Sequence, residues 1–212
     1  MATKVWSNVQ VAMQSAVSAT KTITGITKAN PGVATSTSHG FANGDIVVLS
    51  ILGMWQLDTR TVRVANVTTN TFELEGIDTT LYDTFSSGSA YSITFGTTFS
   101  TIGDLSVSGG DFDMIDITTI HDNVKKTQPG AASPVNVSGN FNWDPSDAGQ
   151  LAMKTAADSR ALRAFRVVFS DASRWLFTGY PGYTGSPTGS AQAKVTSPFT
   201  VTSYGRPSFY SS

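Results

Sequence analysis

The sequence predicts a mainly β protein, a sandwich or barrel with one short α-helix and a small all-β module inserted into it. Three observations point there. Apolar and polar residues alternate in segment after segment, the period of half-buried strands. Turn formers separate those segments, most regularly between residues 23 and 91. Only one stretch combines a helix start with helical spacing. At 212 residues the chain is one large or two small domains, long enough to bury a core.

Taken in order, residues 1–22 read as an opening strand or arm, with Val5, Val9, Val11 and Met13 facing inward. Residues 23–91 have a different texture. Asn30-Pro31-Gly32 reads as a turn, Val33-Ala34-Thr35 as a strand, and the segment from His39 to Asp45 as a tight loop. Ile46 to Leu52 is the most apolar strand of the chain, broken by Gly53-Met54. Thr61 to Ala65 and Thr71 to Leu74 alternate again, with Thr68-Thr69-Asn70 between them. This region is predicted to be the inserted module.

Residues 92–106 bring a new strand containing Ile93, Phe95 and Phe99, and Phe112, Met114, Ile115 and Ile117 follow among acidic residues. Residues 121–133 are polar and rich in turn formers, so they read as a long loop. Val135, Val137, Phe141 and Trp143 share one strand face. Asp144-Pro145-Ser146-Asp147 then reads as a helix start, with Asp144 as cap, Pro145 in the first position and Asp147 in the first turn. Ala148, Leu151, Ala152 and Thr155 supply its expected inward stripe. A hairpin follows, Arg163 to Phe169 and Arg174 to Thr178, turning at Asp171-Ala172-Ser173. Residues 181–189 read as a loop. Ala191, Ala193, Val195, Phe199 and Val201 read as a long strand whose Pro198 marks an edge or bend.

Composition excludes several classes. Charged residues make up 14% of the chain, against about 25% in an average soluble protein. The net charge of −1 offers no basic field for nucleic acid or anionic membrane. The 40% of hydrophobic residues and the four Trp argue against disorder. The absence of Cys excludes disulfides, thiolate nucleophiles and thiolate metal sites. The chain opens without the cationic and apolar runs of a signal peptide, and no apolar stretch approaches the ~20 residues of a membrane span. A soluble protein that starts in the cytosol is expected.

No enzyme signature emerges. Two histidines, His39 and His121, fall short of a zinc set even with Asp45, and His121-Asp122 lacks a nucleophile motif. Phosphate-binding and nucleophile-elbow motifs are absent. Asn66-Val67-Thr68 and Asn136-Val137-Ser138 match the glycosylation sequon but accompany no secretion signal. Asp111, Asp113 and Asp116 lack the spacing of a calcium loop. Asp104, Asp111, Asp113, Asp116 and Asp122 lie in a stretch, residues 103–122, without Lys or Arg. The basic residues Arg160, Arg163, Arg166 and Arg174 gather later. Two readings stand: plain surface charge, or a segregation that serves self-assembly or shapes a channel.

From Asp113 onward the chain resembles the tail tube (major tail) proteins of long non-contractile-tailed, lambda-like bacteriophages. The resemblance rests on an ordered set: Met114-Ile115-Asp116-Ile117-Thr118, the segment Val124-Lys125-Lys126-Thr127-Gln128-Pro129-Gly130, the strand ending in Phe141, the Asp144-Pro145-Ser146-Asp147 helix start, the hairpin through Trp175 and the closing Gly205-Arg206-Pro207. The hairpin turn Asp171-Ala172-Ser173 departs from the family's usual Asp-Gly turn. Residues 23–91 resemble instead a small β module of phage tail proteins named after the first-catalytic-cysteine half-domain of ubiquitin-activating enzymes. His39-Gly40-Phe41, Gly44-Asp45, Gly53-Met54, Leu57-Asp58, Arg60 and Phe72-Glu73-Leu74 carry that likeness.

The resemblance implies a tube domain of residues 1–22 and 92–212, with residues 23–91 displayed outside. It implies a non-enzymatic virion protein without cofactor, forming stacked hexameric rings through which double-stranded DNA passes without specific binding. Tape measure, tail terminator and tail-tip proteins are the implied partners, and the virion tail, after synthesis in the host cytoplasm, the implied location. Within that reading, His121, Asp122, Asn123, Val124, Lys125, Lys126, Thr127, Gln128, Pro129 and Gly130 are the expected inter-ring loop. Asp104, Asp111, Asp113 and Asp116 are the expected lumen-facing residues, because an acidic lining repels phosphate. The alternative is a tail-tip or fibre protein that binds a host surface receptor or sugar, with Trp55, Tyr82 and Phe85 stacking on the sugar.

Overall fold

A computed structural model describes residues 7–211; Val5 of the expected opening strand lies outside them. The chain begins with β1 (Gln10–Met13), β2 (Ala16–Val17), β3 (Lys21–Ile23), β4 (Gly25–Ile26) and β5 (Val33–Thr35). It continues with β6 (Ile46–Leu52), a 3₁₀ turn at Trp55–Leu57, β7 (Thr61–Ala65), β8 (Thr71–Leu74) and β9 (Ser87–Thr94). Then come β10 (Thr97–Thr98), β11 (Ile102–Ser108), β12 (Phe112–Asp116), β13 (Thr127–Ala132) and β14 (Asn136–Asn142). Helix α1 (Ala148–Asp158), β15 (Arg163–Val168), β16 (Arg174–Tyr183), β17 (Thr196–Ser203) and β18 (Ser208–Tyr210) complete it. The fold is mainly β with one α-helix among the described residues, as the alternation predicts.

The described residues form two eight-stranded antiparallel sheets and a separate hairpin. The first sheet has the order β10-β1-β15-β16-β17-β14-β11, with β18 also on β16. Its apolar face gathers Phe141, Met153, Phe165, Val167, Trp175, Phe177, Phe199 and Val201. The sheet curls: Phe99, just past the β10 edge, meets Phe141 on β14 with ring centroids 5.6 Å apart. Phe141 stacks on Phe199 at 4.4 Å. Gly139 keeps this region tight, because a Cβ there would meet the Asp104 carbonyl at 2.3 Å and the Phe199 ring at 3.0 Å.

The second sheet, β2-β9-β6-β7-β8-β5-β4 with β3 on β9, runs from Ala16 to Thr94. It encloses its own core of Ile23, Val47, Leu49, Met54, Leu57, Val62, Phe72 and Leu74. Strand β9 passes through residue 91 unbroken, pairing with β6 from Ser87 to Ser92. Gly53 ends β6 at φ +88°, where a side chain would meet the Thr84 carbonyl at 2.4 Å.

Several local expectations are corrected. The helix cap is Asp147, whose carboxylate accepts from the Gln150 amide at 2.8 Å. Asp144 is occupied by the Ser146 amide and hydroxyl, at 2.9 and 2.7 Å, and Pro145 lies before the helix. The buried face is Gly149, Gln150, Met153 and Ala156, while Leu151 is half exposed. Gln150 is inward because Thr101, Asn142 and Tyr183 satisfy its amide. Residues 92–106 form no single strand: Ile93 closes β9 in the second sheet, and Ile102 opens β11 in the first. Strand β16 continues to Tyr183, into the expected loop, while β17 begins only at Thr196. It lies between β14 and β16, yet the β16 register stops at Tyr183↔Phe199. Pro198 thus falls where β16 has left, and its missing N–H breaks no bond to that strand.

Candidate assembly surfaces

Thr127 to Gly130, expected in a loop, are strand. β13 pairs with β12 in the register Phe112↔Ala132, Met114↔Pro129, Ile115↔Gln128, Asp116↔Thr127. This hairpin hydrogen-bonds to no other strand among the described residues. Ile117 to Lys126 form its largely exposed tip. Apolar side chains stand exposed along it: Phe112, Met114, Ile115 and Ile117 are each about half exposed, Val124 is 73% and Ile120 97% exposed. Met114 and Ile115 are sequence neighbours, so the hairpin is apolar on both faces. An isolated two-stranded hairpin is marginal in water, and one with two apolar faces gains by being covered. The alternating pattern that marks half-buried strands is missing here, which is why the sequence showed these residues without showing that they pair with residues 127–132.

The tip is held by short-range bonds. Lys126 pairs with Asp122, and Lys125 lies 3.7 Å from Asp116. The Thr118 hydroxyl and amide hold the Asp116 carboxyl below its ordinary pKa, and Lys126 with Thr119 does the same for Asp122.

A second surface is the outer face of β11, β14 and β17. The registers set three rows across it: Asp104, Asn140 and Pro198; Ser106, Ser138 and Thr200; Ser108, Asn136 and Thr202. These strands contain no Lys, Arg or Glu, and Asp104 is their one charge. Asp104 accepts from the Asn140 amide at 2.6 Å and from its side chain at 3.0 Å. Lys194, from the segment before β17, ends beside Gly103 at one corner. Of the four expected lumen residues, Asp104 therefore lies on this face, whereas Asp111, Asp113 and Asp116 lie at the base and along the hairpin. The outer edge of β11 pairs with no strand among the described residues, so seven residues of backbone end the sheet on that side.

The two sheets meet through Ile46, Val48 and Ile93 on one side and Ala164, Leu176 and Tyr210 on the other. Thr178 donates to the Thr59 carbonyl at 2.7 Å and Arg60 to Ser208 at 3.0 Å. Arg63 lies over the Tyr210 ring at 4.8 Å and is held by Glu75, which raises its pKa. His39 is buried, its Nδ1 accepting from the Phe41 amide at 3.0 Å, between the Phe41 and Phe72 rings. Tyr82 and Phe85 pack against the second core, while Trp55 is exposed. No cluster of three metal-binding side chains exists among the described residues, and no described helix is long and apolar enough to cross a membrane.

The sequence profile of the phage tail tube proteins (TTP) matches residues 52–212. The chain belongs to the phage tail tube protein family. That places it among structural, non-enzymatic proteins of the virion tail. The match begins within the second sheet and takes in the hairpin, α1 and the closing strands. No curated protein matches the chain. Among solved structures, one from the tail of an empty gene transfer agent (GTA) particle with C6 symmetry is 15% identical, with a TM-score of 0.42, covering 56% of this chain and 87% of its own. Another, from the virion of a native GTA particle, is 14% identical at the same TM-score and covers 56% of this chain and 89% of its own.

Proposed function

We infer that this tail tube protein polymerises into stacked hexameric rings, a hollow tube through which double-stranded DNA passes during ejection. The observation that carries this reading is the β12–β13 hairpin, apolar on both faces and paired with no other strand among the described residues. Its role is to reach a neighbouring ring, with the tip from Ile117 to Lys126 making the contact. The free edge of β11 supports closure within a ring, since a heterologous contact that closes gives a ring and one that does not gives a filament.

In this tube, the Ser/Thr/Asn face of β11, β14 and β17 lines the lumen. Hydroxyl and amide groups without cations exchange few counterions with phosphate, so the duplex slides. Asp104 faces the channel, while Asp111, Asp113 and Asp116 serve the hairpin. The module of residues 23–91 lies on the outside, fixed against the tube sheet by Tyr210 and Ser208. Tape measure, terminator and tail-tip proteins are the further partners, and assembly follows synthesis in the host cytoplasm.

The test is Ile117→Ser with Ile120→Ser. Both side chains are exposed, so the variant keeps the wild-type circular dichroism and melting temperature. It is expected to stay monomeric where wild type forms tubes in negative-stain images. Normal tubes from the variant would overturn the hairpin's role.

A further inference from the structure

A groove of about 900 Å³ runs between the hairpin base, the second sheet and the end of β17. Trp55, Tyr180 and Tyr204 line it, 59%, 42% and 60% exposed, with Phe112 of the hairpin base beside them. Tyr204 stands edge-on to Tyr180 at 5.7 Å, and the Arg206 guanidinium lies over the Trp55 ring at 5.2 Å. The walls are fixed. The Tyr204 amide donates to the Thr178 carbonyl at 3.0 Å, and Gly205 lies so close to Thr59 that a Cβ would meet its carbonyl oxygen at 2.9 Å.

We propose that this groove receives the β12–β13 hairpin tip of a second copy of the chain, resting on the polymerisation inferred above. Two observations select that occupant. The same hairpin has an exposed apolar tip, Ile117, Ile120 and Val124, and at its base an exposed aromatic groove; Ile117 lies five residue steps along the strand from Phe112, roughly 17 Å at 3.4 Å each. Base and tip therefore lie at opposite ends of one projecting element, and joining them between copies gives a head-to-tail contact that repeats along an axis. The charges permit it. At the tip, Lys126 pairs with Asp122, and Lys125 lies 3.7 Å from Asp116. The groove holds one cation, Arg206, and one carboxylate, Asp58. An apolar tip whose charges are paired within the hairpin thus meets exposed aromatic rings in a groove without net charge.

The chain has no Cys, which permits a direct test. Chains carrying Ile120→Cys and chains carrying Tyr204→Cys are mixed, assembled and oxidised, and the products are separated without reductant. Disulfide-linked dimers are expected in the mixed tubes, at least tenfold above either population alone. If Tyr204→Cys blocks assembly, Trp55→Cys takes its place. Tubes that form normally without mixed dimers would overturn the groove assignment and leave polymerisation standing. A wild-type chain that forms no tubes would overturn both. Dimer-free tubes whose Trp55 fluorescence responds to a soluble host-surface oligosaccharide would instead identify the groove as a carbohydrate site.

Discussion

The backbone amide of Arg63, on β7 of the second sheet, donates to the hydroxyl of Tyr210, on β18 of the first, at 2.8 Å. The two residues are 147 apart in sequence, and Tyr210 is 6% exposed. Burial raises the pKa of this tyrosine, so its hydroxyl stays protonated and serves as acceptor across the ordinary pH range. The contact ties the second sheet to the first.

Tyr210→Phe removes the acceptor and leaves the Arg63 N–H unpaired in a half-buried position. The expected loss is ~1–3 kcal/mol, read as a lower urea midpoint with an unchanged slope. An unaltered midpoint would mean that water replaces the hydroxyl without cost.

Asp147 and Asp144 separate cleanly as helix caps. Asp147→Ala should cost ~0.5–2 kcal/mol, because the Gln150 amide loses its acceptor. Asp144→Ala disturbs only the preceding turn and should cost less in the same thermal melts. The reverse order would place the cap at Asp144.

The hairpin tip has a pH signature. The Asp116 and Asp122 carboxyls are both held below their ordinary pKa, so the folded tip favours their charged forms. Their contribution is present above the unfolded value of about 3.9 and is lost as pH falls through the lower folded values. Carboxyl-carbon NMR titration should give midpoints below that of free Asp for both. Ordinary midpoints would show that the tip bonds do not persist in solution.

The lumen assignment predicts a phenotype without loss of assembly. Ser138→Lys and Thr200→Lys place cations in the middle row of the β11–β14–β17 face. Tubes should form, DNA ejection should slow, and added salt should relieve the delay, because phosphate contacts weaken with ionic strength. Unchanged ejection would put that face elsewhere.

How much was legible follows from what each residue faces. Strands half-buried against a core, such as Ile46–Leu52 and Arg163–Val168, show in the sequence because alternation or a continuous apolar run records burial directly. The helix was legible too, but two aspartates three residues apart both suit a turn, and only the fold decides that Asp147 caps. Its inward face shifted because Gln150, a polar residue, finds three partners inside. The hairpin was illegible for a different reason. Its apolar side chains are exposed on both faces, so no core within the chain imprints a period on it, and Gln128-Pro129-Gly130 imitates a loop. The groove joins residues 55, 112, 180 and 204, whose proximity no local pattern encodes.

The central claim is that this chain completes itself with copies of itself. Negative-stain imaging of the purified full-length protein, with sedimentation at rising concentration, tests it most directly. Hollow tubes of uniform diameter, or rings of six subunits at lower concentration, are the predicted result. Dispersed monomers at every concentration, with no annular or filamentous species, would contradict it.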